Sequence, residues 1–284
     1  MMVWINGELV FAADARVSVF DHGLTTGDGV FEALKVIEGT PFALQRHLAR
    51  LASSAAGLGL PAPDLDAIQA GVFAVLGASG RPDRARIRIT VTAGESPLGS
   101  ERGESPPTVV IALGPLPERA PESDATLVPW PRNERGALAG VKTISYAENV
   151  RALAYAAQRG AGEAIFANTQ ENLCEGTGSN VFLVVGDELI TPPLSAGCLA
   201  GVTRGLVLEW FGGTERDVPA AVLTRGDDPP ETLVWVREAF LTSTTRDVQP
   251  IRSVNGVALP ACPGPVTRKA AQVFASRAAR SPDP

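Results

Sequence analysis

Lys142-Thr-Ile-Ser-Tyr-Ala-Glu-Asn-Val150 and, thirty-three residues after its lysine, Glu175-Gly-Thr-Gly-Ser-Asn-Val-Phe182 are the two stretches from which the rest of the chain is best read. Only three of the 25 basic side chains are lysine. Arginine stays protonated, whereas a lysine in the right surroundings becomes a neutral amine nucleophile. Lys142 stands four residues before Tyr146, itself one of two tyrosines. Alone, Lys142 reads as a solvated surface residue, as most lysines are. With a phenol and a carboxylate in company, the three are the groups that a Schiff-base-forming aldehyde cofactor needs.

Working outward, Ser145-Tyr-Ala-Glu148 has the capping-box pattern and precedes Val150, Leu153, Ala154 and Ala157 on one helical face, which predicts a helix with Tyr146 in its first turn. Val3 to Val10 reads as a hairpin across Asn6-Gly7, and Asp21 to Gly29 as a loop. Val30–Ile37, Arg84–Thr92 and 108–113 read as strands. Leu44–Leu58 has helical spacing, and Asp64 starts a second helix. Downstream, 125–129, Glu163–Ala167, 181–185 and Glu188–Thr191 are expected strands, the last two a hairpin across Gly186-Asp187. Gly201-Val-Thr-Arg opens a helix, and the tail after Ala279 is expected to fray.

Hairpins mixed with helices point to α+β or mixed α/β architecture. The Pro-rich stretch from Gly114 suggests two domains: residues 1–115, a linker over 116–124, and 125–284, the last carrying Lys142. The net charge of −6 and the lack of a basic run exclude nucleic acid as the main partner. No apolar run reaches membrane-spanning length and no export signal is visible, so a cytoplasmic location with Cys174, Cys198 and Cys262 as reduced thiols is expected. Two histidines and no C-x-x-C give no metal site.

A pyridoxal phosphate enzyme needs a lysine, a partner for the ring nitrogen, a donor to the phenolic oxygen and an anion cradle. Lys142, Glu175 and Tyr146 suit the first three roles. Gly201-Val202-Thr203 at a helix start and Thr242-Ser243-Thr244-Thr245 after an apolar strand suit the fourth, with Arg50 adding fixed charge. Each has a plain structural alternative: an ordinary helix start, a loop, a solvated arginine, a turn carboxylate. Joint occurrence in order along the chain favours the chemical reading.

In these motifs the chain resembles the class IV aminotransferases, the fold-type IV pyridoxal phosphate enzymes. They comprise branched-chain and D-amino-acid aminotransferases, (R)-amine transaminases and 4-amino-4-deoxychorismate lyases. The matching segments are Gly27-Asp-Gly-Val-Phe-Glu32, His47-Leu-Ala-Arg50-Leu, Lys142-x-x-x-Tyr146, Glu175-Gly-Thr-Gly-Ser-Asn180-Val-Phe, Leu199-Ala-Gly-Val-Thr203-Arg and Phe240-Leu-Thr-Ser243-Thr244, from about Val3 to about Thr267. The resemblance implies two α/β domains with the cofactor at their interface, in a homodimer whose partner completes the pocket. It implies Lys142 as the Schiff-base lysine and proton carrier, Glu175 at the ring nitrogen and Tyr146 at the phenolic oxygen. Arg50, Val202, Thr203, Ser243 and Thr244 would form the phosphate cup, with Leu199 packed on the ring. Branched-chain members usually place the tyrosine five residues after the lysine rather than four.

Substrate contacts are expected from Phe31, Ala33, Lys35, Leu98, Ser100 and Thr245. Lys35 and the Thr242–Thr245 run resemble the D-amino-acid group. Leu98 and Ser100 stand where many of that group carry an Arg-x-His carboxylate trap, and neither makes a bidentate ion pair. Lys35, Arg86 or Arg88 would have to compensate, against the simpler reading of Arg84, Arg86 and Arg88 as a solvated strand face. The expected activity is transfer of an amino group between a D-amino acid, or an (R)-amine, and a 2-oxo acid such as pyruvate or 2-oxoglutarate. The alternatives are the lyase and then the branched-chain L-enzyme.

Overall fold

The computed structural model describes residues 1–224 and 236–284, and these divide into two compact units. Unit 1 comprises Met1–Pro117, Val141–Tyr146 and Ser281–Pro284, and unit 2 comprises Glu118–Gly140 and Ala147–Arg280. Each is a sheet covered by helices, a mixed α/β build.

Unit 1 begins with β1 (Met2–Ile5) and β2 (Glu8–Phe11), joined through Asn6 and Gly7, both at positive φ as the Asn-Gly hairpin turn requires. Asp21 then caps a four-residue helix, α1 (His22–Thr25), where the sequence suggested only a loop; Asp21 Oδ1 accepts the Gly23 amide. β3 (Gly29–Ile37), β4 (Thr40–Pro41), α2 (Leu44–Leu58), α3 (Leu65–Ala78), β5 (Arg84–Thr92) and β6 (Val109–Gly114) follow. The sheet order is β2-β1-β6-β5-β3-β4. Strand alternation sorts the β3–β5 ladder into two faces. Val30, Leu34, Val36, Ile87, Ile89 and Val91 join Leu44, Leu48, Leu51, Ile68, Val72 and Val75 of α2 and α3 in the core. Phe31, Ala33 and Lys35 lie across from Thr90, Arg88 and Arg86 on the opposite face.

Unit 2 contains β7 (Ser123–Leu127), α4 (Ala147–Ala157), β8 (Glu163–Ala167), β9 (Leu173–Gly176), β10 (Asn180–Val185), β11 (Glu188–Thr191), α5 (Val202–Trp210), β12 (Thr214–Glu215), β13 (Val236–Ser243), β14 (Asp247–Val254), β15 (Val257–Ala258) and α6 (Pro265–Arg280). Its sheet runs β12-β11-β10-β13-β14-β7-β8-β9, with β15 on β14. Val181, Leu183, Ile190, Leu241 and Ile251 fill its core, and Phe182 stacks on Phe240 at 4.9 Å between centroids.

Several expectations change. The lysine segment groups with unit 1, not with residues 125–284. Phe31 N–H donates to Lys142 O at 3.0 Å, Ile144 N–H donates to Gly29 O at 2.9 Å, and Thr143 bridges Val30, so backbone pairing to β3 captures 141–146. The units part at 117/118, and β7 already starts at Ser123, inside the expected 116–124 linker. Tyr146 precedes α4, and Ser145 Oγ donates to Gly27 O rather than acting in a capping box. The tail is not frayed: Pro282 O and Asp283 Oδ1 accept the amides of Ala43 and Gln45, supplying α2 with the cap that Ala43 cannot.

Candidate active site

Lys142 is fixed at the backbone from two sides. Its N–H donates to Ser54 Oγ on α2 at 3.2 Å, and its C=O accepts from Phe31 on β3. Its Nζ lies 4.3 Å from the Phe31 ring centroid and 6.0 Å from that of Tyr146. The two rings meet edge to face at 5.2 Å. Arg88, across the ladder from Ala33, brings its guanidinium carbon 3.8 Å from the same Phe31 centroid. Arg88 is thus part of the cluster and not simply a member of a solvated strand face. Amine, phenol, ring and guanidinium share one corner of unit 1.

On the core side of β3, Glu32 is fully buried and takes Arg50 Nε and Nη2 on separate oxygens, each at 2.7 Å, with His47 Nδ1 also at 2.7 Å. Burial alone would raise the Glu32 carboxyl, but Arg50 and then His47 outweigh it and hold the pKa at about 2. Burial keeps His47 below its ordinary value although Glu32 pulls it up. One edge of Arg50 is therefore committed to Glu32, which locks its rotamer. Glu32 and His47 stand in the matching motifs, but the sequence reading assigns neither a supporting role, since their pairing with Arg50 depends on how α2 packs on β3.

In unit 2, Glu175 lies on β9, and its Oε2 accepts the Leu199 amide at 2.9 Å. Arg132 Nε stands 3.9 Å from the other oxygen. Its guanidinium lies over Phe166 at 4.2 Å, with Nη2 bonded to Asn149 Oδ1 at 2.7 Å. Asn180 Nδ2 donates to Leu199 O at 2.8 Å, and Asn180 pairs with Thr242 across β10 and β13. Gly201 packs on Asn180 so closely that a Cβ there would overlap Oδ1, which sets the start of α5 at the end of these strands. Below the 175–180 turn, buried Glu163 accepts from Thr177 Oγ1, from the Thr177 amide at 3.1 Å, from Ser179 Oγ at 2.8 Å and from Arg246 Nη2 at 3.1 Å. Arg132, Glu163 and Arg246 are supports that no local motif announced.

Of the anion cradle of the sequence reading, Val202, Thr203, Ser243 and Thr244 fall within unit 2, whereas Arg50 belongs to unit 1. α5 begins at Gly201 with no side-chain cap, so first-turn amides around Val202 and Thr203 point outward from the helix end. The hydroxyls of Thr242 and Ser243 are buried with no hydrogen-bond partner. Uncapped amides and orphan hydroxyls at neighbouring strand and helix ends fit a phosphate ester. Thr245 Oγ1 accepts from Arg119 Nη2 at 3.5 Å. Leu98 and Ser100 are exposed on a separate loop of unit 1, pinned where His22 Nε2 meets Gly99 O at 3.0 Å and Arg102 bonds both Asp28 oxygens at 2.7 Å. Cys174 and Cys198 are buried free thiols, and burial pushes Cys198 up to about 12. Among the described residues no group of His, Cys, Asp and Glu is arranged to hold a metal, and no helix is long and apolar enough to cross a membrane.

The family model described as amino-transferase class IV matches residues 29–254. The chain belongs to the class IV aminotransferases. These are pyridoxal-phosphate-dependent transaminases, and the residues just described are suited to that cofactor. The chain is 34% identical over 262 residues to a Methanocaldococcus jannaschii protein named "Putative branched-chain-amino-acid aminotransferase", covering 90% of this chain and 88% of the other. It is 28% identical to a "Bifunctional aminodeoxychorismate lyase / D-amino acid transaminase" of Mycobacterium tuberculosis, over 93% and 94% of the two chains. Among solved structures, a branched-chain aminotransferase of Thermoproteus uzoniensis with norvaline superposes with a TM-score of 0.87 at 27% identity, covering 97% of this chain and 93% of that one.

Proposed function

We propose that this class IV aminotransferase transfers an amino group between a D-amino acid, or an (R)-amine, and a 2-oxo acid such as pyruvate or 2-oxoglutarate, acting as a homodimer. The observation that carries the reading is the Lys142–Phe31–Tyr146–Arg88 cluster, because it supplies an amine and a fixed cation at one ring. Arg88 takes the substrate carboxylate that Leu98 and Ser100 are unable to hold. Lys35 and the Thr242–Thr245 run support the D-amino-acid reading.

In this reading pyridoxal phosphate supplies an aldehyde and an electron-withdrawing ring. Lys142 would hold the cofactor through its Nζ and would carry the proton at the substrate Cα. Glu175 keeps a proton at the ring nitrogen, its own Oε2 steadied by the Leu199 amide. Tyr146 would donate to the cofactor at its phenolic oxygen, and Leu199 would supply an apolar contact to its ring. Val202, Thr203, Ser243 and Thr244, with Arg50, hold the phosphate.

D-Alanine and 2-oxoglutarate should give pyruvate and D-glutamate, followed by stereospecific detection of both products. The lyase is the second reading, favoured by the mycobacterial relative whose name carries both activities. No half-reaction with D-alanine, but 4-aminobenzoate from aminodeoxychorismate, would put the lyase first. L-Leucine bleaching the cofactor absorbance faster than any D-amino acid would put a branched-chain enzyme first. Borohydride should fix the cofactor at Lys142, and a Lys142→Ala protein that still forms the reducible adduct would overturn the lysine assignment.

A further inference from the structure

The loop from Gly94 to Gly103 carries Leu98 and Ser100 at its tip, and a buried side chain of unit 1 reaches that tip. His22, 1% exposed on α1, sets its Nε2 3.0 Å from Gly99 O, the carbonyl between Leu98 and Ser100. Its Nδ1 lies 3.2 Å from Asp28 Oδ2, just ahead of β3. Both neighbours are acceptors. A carbonyl carries no proton, and Arg102, then His22, outweigh burial and hold the Asp28 carboxyl below its ordinary value. A neutral imidazole has one N–H and one bare nitrogen. It therefore satisfies one of these oxygens and turns a lone pair on the other, whereas the imidazolium donates to both.

The other charged groups around the ring are already engaged or exposed. Arg102 of the loop bonds both Asp28 oxygens at 2.7 Å and the Leu58 carbonyl, at the end of α2, at 2.8 Å. Asp21 accepts from the Gly23 amide at 2.8 Å and from Thr92 Oγ1 at 2.9 Å. Glu95 and Glu101 of the loop are exposed. The neck of the loop is closed separately, by His22 N–H on Gly94 O at 2.8 Å and by Gly103 N–H on Ser96 Oγ at 3.0 Å. The imidazole contact is thus distinct from the bonds that close the neck.

We propose that His22 is a positioning residue for the Leu98-Gly99-Ser100 tip, which it holds while both ring nitrogens carry protons. An ionised carboxylate is a stronger acceptor than a carbonyl. When the ring loses one proton, the other stays on Nδ1 toward Asp28, and the bond to Gly99 O is the one lost. The tip is fixed on the acid side of that titration and released on the alkaline side. The latch needs no assumption about the amino donor, while its effect on substrate binding rests on the reading of Leu98 and Ser100 as substrate contacts.

A nitroxide on Ser100→Cys reads the tip directly. Cys174 and Cys198 are buried, so adding Cys262→Ser leaves the new thiol as the one labelled. From about pH 5 to about pH 8, where histidines change charge, the spectrum of the cofactor-loaded protein should pass from slow to fast motion. With His22→Phe, a ring without a donor, it should be fast throughout. Imidazole nitrogen NMR, in which His22 and His47 are the two residues seen, should show protons on both His22 nitrogens at the acid end and on Nδ1 alone at the alkaline end. For any donor that turns over, the ratio of KM in His22→Phe to KM in the native protein should fall from about tenfold to about one over the same range, with kcat alike in both. Other groups titrate in both proteins and cancel in that ratio. Nitroxide motion that ignores pH while His22 is native, or a His22 ring with a bare nitrogen at the acid end, would overturn the latch, and the nitroxide reading stands even if His22→Phe fails to fold. A KM ratio near one throughout, beside a nitroxide that follows pH, would keep the latch and remove Leu98 and Ser100 from the substrate contacts.

Discussion

Arg132 shows how a single side chain tunes a neighbour. Its Nε is buried without a hydrogen-bond partner and stands 3.9 Å from Glu175 Oε1, too far to bond and near enough to act through charge. Its other nitrogens are anchored by Asn149 and Glu148, so the charge stays in place. Arg132→Gln should lower turnover by about tenfold, the size of one lost charge–charge contact at the carboxylate, and Arg132→Lys should recover part of it. The pH profile of turnover is the deciding readout, because a merely structural loss would leave its limbs where they were. Glu32 offers a different test. Its folded pKa lies below its ordinary value of 4.5, so its ionised form contributes stability above pH 4.5 that is lost as pH falls toward about 2. His47, depressed by burial, adds a loss in the same direction once pH drops below its ordinary 6.5, because the unfolded chain takes up the proton first. Glu32→Gln removes the buried carboxylate that Arg50 and His47 share and should cost roughly 3–5 kcal/mol in denaturant unfolding at neutral pH. Its acid limb between pH 4.5 and 2 should be flatter than that of the native protein.

At the scale of elements, Gly201 and Glu163 carry the arguments. Gly201→Ala places a methyl on Asn180 Oδ1 and pushes the start of α5 away from β10 and β13. Retention of pyridoxal phosphate should weaken by about tenfold, because a helix terminus contributes roughly 1–2 kcal/mol to a favourably placed anion. Equilibrium dialysis measures this, and unchanged retention would exclude the α5 start from the phosphate cup. Sequence reading succeeded where one periodicity ran unbroken. Leu44–Leu58, Arg84–Thr92, Glu163–Ala167 and Glu188–Thr191 have the bounds their side-chain patterns gave. It failed where an element is too short to show a period or depends on distant partners. α1 has four residues and is made by the Asp21 cap, and β9 holds Glu175 in a strand only because β8 pairs with it. The Lys142 segment lies in unit 1 for the same reason, since hydrogen bonds to β3 have no signature in the local sequence. At the site, Lys142 and Glu175 are proposed from residue type and motif. The sequence offers Arg88 only as one choice beside Lys35 and Arg86, because an alternating Arg-x-Arg-x-Arg strand looks the same whether its outer face meets water or Phe31.

For the whole molecule, the chemistry is divided by unit: Lys142, Tyr146 and Arg88 belong to unit 1, and Glu175, Leu199, Thr203 and Ser243 to unit 2. In the proposed reading the first set makes the covalent bond and handles substrate, and the second binds the ring nitrogen and gives the phosphate its amides and hydroxyls, with Arg50 of unit 1 adding charge. The two jobs should therefore separate by variant. Lys142→Ala should still bind pyridoxal phosphate, but reversibly, so that dialysis removes it and borohydride fixes nothing. Its preference for pyridoxal phosphate over pyridoxal should persist, since the phosphate contacts are untouched. Combining Thr203→Val with Ser243→Ala should do the reverse. Lys142 would still form a reducible adduct with either aldehyde, while the preference for the phosphate ester should fall by about tenfold to a hundredfold, as expected for lost hydrogen bonds to a charged group. The absorbance of each variant titrated with the two aldehydes reads both quantities at once. A preference that vanishes in Lys142→Ala, or survives in the double variant, would show that Thr203 and Ser243 are not what holds the phosphate.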